Sequence, residues 1–176
     1  THHGVTYGRS RTPPTYAFEE AGAALDQAHR AIAVASGKAA VNLTLAALLQ
    51  QGDHLLVVDT AYAPTRHFCD RTLARYGVAT TYYAPGIGAG IADLIRPETK
   101  LVFLEAPGSL TFEMQDVPAI AAVARARGLL TVMDNTWATP LFFKPLLHGV
   151  DIAVQAVTKY IGGHSDLMMG VISSNA

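Results

Sequence analysis

Short uncharged apolar runs recur along this chain, separated by helix-favouring stretches, and that alternation limits the folds open to it. The runs are Ala31–Ala35, His54–Val58 leading into Asp59, Leu101–Leu104, Leu129–Met133 and Ile152–Val157. They are continuous rather than alternating apolar and polar, the pattern of strands buried on both faces. Helices are expected at Lys38–Leu49, ended by Gln51-Gly52, and over Tyr62–Ala74, with Gly77 as the stop. Another should run from Pro118 to about Arg127, because proline suits a first turn and Gly128 a C-terminal stop. Val78–Tyr83 reads as β-rich and Pro85–Gly90 as a loop. Buried strands joined by helices predict an α/β fold: a mostly parallel sheet between helix layers.

The chain has 176 residues, 50% hydrophobic and 15% charged, enough for one domain with a large core. Its formal net charge is −1 and its basic residues are scattered, which argues against nucleic-acid or anionic-membrane partners. The single cysteine, Cys69, allows no internal disulfide, so a reducing, cytoplasmic compartment is expected. No signal peptide is visible, and Tyr76–Ala92 is too rich in Gly and Pro for a membrane helix. The chain opens in a polar loop and stops at the strand-like Val171–Ala176, so it reads as a piece of a larger protein.

In open α/β sheets, ligands bind beyond the carboxyl ends of the strands. Unusual polar residues fall at five such ends: Ser36-Gly37, Tyr62, Glu105, Asp134 and Thr158-Lys159. A lysine and a carboxylate placed this way are what pyridoxal phosphate chemistry requires. The amine forms a Schiff base with the cofactor aldehyde, and the carboxylate keeps the pyridine nitrogen protonated so that the ring accepts electrons. Lys159 could equally emerge into solvent, whereas a desolvated lysine has a lowered pKa suited to imine formation. Asp134 could instead be a turn aspartate, since Asp-Asn favours turns. Ser36-Gly37-Lys38 opens a helix whose free N–H groups suit a phosphate, or is an ordinary turn with a serine cap. Tyr62 offers a ring face for stacking and a hydroxyl for proton transfer. Thr158 offers a hydroxyl to a phosphate or is a plain β-former, and Tyr7-Gly8-Arg9 could supply a phenol and a guanidinium fork.

Other patterns carry less. Gly86-Ile87-Gly88-Ala89-Gly90 does not run from a strand into a helix as a dinucleotide loop must. His2, His3, His67, His164 and Cys69 lack metal-ligand spacing, so no metal is expected.

Tyr7-Gly8-Arg9, Ser36-Gly37-Lys38-Ala39-Ala40, Asp134-Asn135-Thr136 and Thr158-Lys159-Tyr160 with Gly163-His164-Ser165-Asp166, in this order, resemble the pyridoxal-phosphate-dependent enzymes of Cys/Met metabolism. Within that family the chain is most similar to the bacterial cystathionine β-lyases. The features are Ala61-Tyr62-Ala63-Pro64 running to Phe68-Cys69, Glu105-Ala106-Pro107-Gly108-Ser109 with Glu113, and Gln155-Ala156-Val157. The resemblance implies the aminotransferase-like (fold type I) large domain, a three-layer αβα arrangement spanning residues 1–176, without the family's N-terminal arm and C-terminal domain. It implies that Lys159 bears the cofactor and acts with Tyr62 in catalysis, that Asp134 pairs with the pyridine nitrogen, and that Tyr62 stacks on the ring. Gly37, Lys38 and Thr158 would hold the phosphate. Tyr7 and Arg9 would serve a neighbouring subunit, which implies a homodimer or homotetramer. The implied reaction is a β-elimination on a small amino-acid substrate, L-cystathionine. Lys38 departs from the family pattern, which usually has Met or a small residue there.

Overall fold

The computed structural model describes Tyr7, Gly8 and residues 11–175. Seven strands form one sheet: β1 (Arg30–Val34), β2 (His54–Val58), β3 (Ala79–Tyr83), β4 (Thr99–Glu105), β5 (Leu130–Asp134), β6 (Ile152–Ala156) and β7 (Gly170–Ser174). Their spatial order is β1-β7-β6-β5-β4-β2-β3. The pairs from β3 to β6 are parallel, whereas β7 is antiparallel to both β6 and β1. Two reversals restore direction, so β1 runs the same way as β6. Only β7 runs backwards, and the carboxyl ends of the other six strands share one edge of the sheet.

The central strands are as apolar as the sequence predicts, because neither face meets water. All five residues of β2 are buried, and Leu101–Leu104 are fully enclosed. The helices are α1 (Pro13–Asp26), α2 (Gly37–Leu48), α3 (Ala63–His67), α4 (Val117–Ala126) and the short α5 (Thr139–Phe142). They lie on both sides of the sheet. Ala156 of β6 meets Gly37 at the head of α2, while its neighbour Gln155 donates to Asp26 at the foot of α1, 3.1 Å away. Successive strand residues point to opposite faces, so α1 and α2 cover opposite sides.

Two expectations need correction, and one element was not foreseen: the stretch before Ala31 holds the fourteen-residue helix α1. Its buried positions include Glu19 and Asp26, and polar residues facing inward hide the apolar stripe by which a helix is recognised. The expected loop at Pro85–Gly90 is 3₁₀-helical from Pro85 to Leu94, kinked at Gly88 (φ 51°, ψ −133°). The expected helix over Tyr62–Ala74 is α3 followed by a π-helical stretch, Phe68–Leu73, while Gly77 does turn the chain in the left-handed region (φ 79°).

The edge strand β1 is covered by a side chain. Glu19 accepts the Ala33 N–H through Oε1 at 2.9 Å, and its Oε2 lies 3.4 Å from Nε of Arg11. No helix among the described residues is long and apolar enough to cross a membrane.

Candidate active site

At the carboxyl edge lies a cavity of about 680 Å³ whose lining includes Tyr62, Glu105, Asp134, Thr136, Thr158 and Lys159. Four of the five strand ends singled out from the sequence therefore meet in one space. The fifth, Ser36-Gly37, borders it through Ala156, a lining residue that packs directly on Gly37. A β-carbon on Gly37 would fall 2.3 Å from that of Ala156, and one on Gly170 would fall 2.2 Å from the Ser36 carbonyl oxygen. Only glycines let β6 and β7 approach the head of α2 so closely.

Asp134 ends β5 and combines both roles open to it. Its Oδ1 accepts the Thr136 N–H at 2.9 Å, the local bond of an aspartate turn, and the same carboxylate lines the cavity. The Thr136 hydroxyl in turn accepts the Ala156 N–H at 2.8 Å, which ties this turn to β6. Asn135 is buried and donates to the Phe143 carbonyl at 2.9 Å.

Glu105 ends β4 directly beside Asp134 in the strand register. It is only 8% exposed, and its Oε2 accepts the Tyr62 N–H at 2.8 Å. Burial, then the neighbouring Asp134 charge, push its carboxyl up to about 8 despite the stabilising Tyr62 bond. Asp134 is raised as well by burial, opposed by its bonds from Thr136. Behind them the Gln115 amide donates to the Glu105 carbonyl at 2.7 Å, and the Tyr83 hydroxyl lies 3.0 Å from Gln115 Oε1. The sequence marked Glu105 as a strand end but gave it no task.

Tyr62 is half exposed, with its phenol at the cavity. Lys159 also lines the cavity and is exposed, so the desolvation considered for it from the sequence is not found. Thr158 holds the loop after β6 to β7, its hydroxyl donating to the Met169 carbonyl at 3.2 Å and accepting the Met169 N–H at 3.1 Å. Ser36 caps α2, its hydroxyl accepting the Ala39 N–H at 3.0 Å; Gly37 and Lys38 follow as the first helical residues. Tyr7 is exposed and is not a lining residue, and Arg9 lies outside the described residues.

One wall was not foreseen. Phe112, Trp137 and Tyr160 form a row, with ring centroids 5.5 Å and 5.4 Å apart. Phe112 comes from the turn closed by the Gly108 N–H bond to Glu113 at 2.8 Å, in which Leu110 (φ 64°) and Phe112 (φ 60°) adopt left-handed conformations unfavourable for their side chains. No motif joins these three residues in the sequence, where they stand 25 and 23 positions apart.

The donor set fits pyridoxal phosphate. A primary amine and a carboxylate line the same cavity, an aromatic face stands beside them, and backbone N–H groups head a twelve-residue helix next to it.

Comparison with known proteins agrees with this reading. The profile of the family described as Cys/Met metabolism PLP-dependent enzyme matches residues 1–176. A Rhizobium johnstonii protein provisionally named cystathionine beta-lyase is 57% identical over 97% of this chain and 43% of its own length. Cystathionine beta-lyase MetC of Escherichia coli is 42% identical over 97% of this chain and 44% of its own. The chain thus spans less than half the length of these curated relatives. The crystal structure of cystathionine gamma-lyase from Lactobacillus plantarum, complexed with L-serine, superimposes with a TM-score of 0.92 at 35% identity, covering 97% of this chain and 44% of that one. The chain belongs to the pyridoxal-phosphate-dependent enzymes of Cys/Met metabolism, and its sheet and helix layers are those of their fold type I architecture.

Proposed function

We propose that the chain is the large, cofactor-binding domain of a carbon–sulfur lyase that converts L-cystathionine and water to homocysteine, pyruvate and ammonia. The observation that carries this reading is the convergence of Lys159, Asp134 and Tyr62 on one cavity. The names of the two curated relatives favour β-elimination within the family.

Pyridoxal phosphate, when bound, supplies an electron sink for the charge that develops at the substrate Cα. Lys159 and Asp134 would hold it at its aldehyde and ring-nitrogen ends, Tyr62 against the ring face, and the Gly37 and Lys38 N–H groups at its phosphate. The Thr158 hydroxyl would join the phosphate site by exchanging one of its bonds to Met169. Asp134 keeps a negative charge where the ring nitrogen sits, in surroundings whose low polarity strengthens the pairing. The Lys159 amine takes the Cα proton. As the Cβ–S bond breaks, the departing sulfur takes a proton from Lys159 or Tyr62. Phe112, Trp137 and Tyr160 give that side of the cavity an aromatic wall.

Tyr7 and Arg9 would reach the phosphate site of a neighbouring copy in a homodimer or homotetramer, and the enzyme would be cytoplasmic. Purified protein, pyridoxal phosphate and L-cystathionine should yield pyruvate, and Lys159→Ala should yield none. Formation of 2-oxobutyrate instead would assign the γ-elimination carried by the gamma-lyase's name.

A second reading follows from length. The 176 residues match less than half of each of these curated relatives. On that reading the 176-residue chain binds the cofactor without turnover. A Lys159-dependent visible absorption band with no pyruvate would support it, and pyruvate production by the isolated chain would dispose of it.

A further inference from the structure

Glu105 has no part in the reaction outlined above, yet it touches two residues that do. Its carboxyl group accepts the Tyr62 N–H at 2.8 Å, and across the strand pair it stands level with Asp134. Residues in register on neighbouring strands point to the same face, and the strands lie about 5 Å apart. Two carboxylates at that separation, one of them 8% exposed, cannot both stay charged at low cost. Each accepts one backbone N–H, Asp134 from Thr136 and Glu105 from Tyr62, but Asp134 is the more exposed of the two. The charge therefore settles on Asp134 and the proton on Glu105. The other titratable groups lining the cavity are Tyr62 from the β2 side, and Lys159 and Tyr160 from the β6 side.

We propose that Glu105 is a positioning residue that works as a neutral acid, its carbonyl oxygen fixing the backbone of Tyr62 while its proton lets it stand beside an ionised Asp134. Tyr62 is 51% exposed; its carbonyl accepts the Thr65 and Arg66 N–H groups of α3, and Glu105 supplies the bond that ties its own N–H to the sheet. The proposal rests on the pyridoxal phosphate reading of the cavity for its functional consequence, though not for the protonation of Glu105.

The test uses glutamine as a neutral mimic with the same acceptor, and leucine as a shape mimic without one. Trp137 is the chain's single tryptophan and lines the cavity wall, so quenching of its emission during a pyridoxal phosphate titration reports affinity. Glu105→Leu should weaken binding about tenfold, the weight of one buried hydrogen bond, and Glu105→Gln should restore it to within about threefold. Equal damage from both substitutions would overturn the neutral-acid role, and wild-type affinity in the leucine variant would overturn the positioning role. Infrared spectra of the cofactor-free protein give a second test that holds even if the leucine variant misfolds. A protonated carboxyl band at neutral pH, lost on the alkaline side and missing in Glu105→Gln, is expected; its absence from the wild type sinks the proposal. If emission does not respond to pyridoxal phosphate even in the wild type, the functional reading has failed, and the infrared result still decides the state of Glu105.

Discussion

At the amino ends of the parallel strands, polar side chains bind one another or nearby backbone; at the carboxyl ends they turn toward a cavity. His54 opens β2 with both ring nitrogens occupied, Nδ1 by the Thr99 hydroxyl at 2.8 Å and Nε2 by the Thr81 hydroxyl at 2.9 Å, so one imidazole joins three strands. Asp151 accepts from both the backbone and the hydroxyl of Thr131, at 2.8 and 2.7 Å, and ties β5 to β6. Asp53 accepts the Gln50 N–H at 2.8 Å. At the other end Glu105 and Asp134 sit side by side with raised pKa values, and Lys159 and Tyr62 are exposed. The same residue types thus stabilise one end, where their bonding is completed internally, and leave the other ready for a ligand, a division common where activity needs groups held in unfavourable surroundings.

Substitutions should separate the two ends. Lys159→Ala should lower turnover by about 10³-fold or more, the scale of losing a proton-transfer group, while the unfolding free energy in urea stays within about 0.5 kcal/mol of the wild type. A comparable loss of stability would show that the division is false. Asp134→Asn should cost about 10²-fold in turnover, as removal of one preorganised electrostatic group does. It should also raise stability modestly, because a charge that burial disfavours is gone; a fall in the thermal midpoint would contradict that.

His54→Ala should do the reverse, costing about 2 kcal/mol by removing the two hydrogen bonds between the imidazole and the threonine hydroxyls with turnover of the folded protein unchanged. Burial and then Arg96 lower the His54 pKa from 6.5, with Glu98 opposing them. The unfolded chain therefore binds this proton first as pH falls. Stability from neutral His54 is complete above about 6.5 and drains away below it, so the acid-side slope of unfolding free energy should flatten in His54→Ala. The smallest effect should come from Thr131→Val, about 1 kcal/mol in chemical denaturation, with affinity for pyridoxal phosphate untouched.

The sequence disclosed the strands because burial on both faces leaves continuous apolar runs, and it disclosed Lys159, Asp134 and Tyr62 because strand ends are where such residues stand out. Helix α1 escaped because the side chains it buries include two carboxylates. The pairing of Glu105 with Tyr62 escaped because it spans 43 residues and runs through a backbone N–H that no motif encodes. The aromatic wall escaped for a related reason: Phe112, Trp137 and Tyr160 come from three separate loops and meet only in the folded chain.

The carboxylate of Glu19, lodged against the Ala33 N–H, bears on how the protein behaves in a crowded solution. A sheet margin with a free donor invites strands from other molecules to add on. Here the donor is already engaged and a charged pair, Glu19 with Arg11, guards the approach. Loss of that one side chain would turn a closed margin into a template, and self-association growing with protein concentration would be its mark.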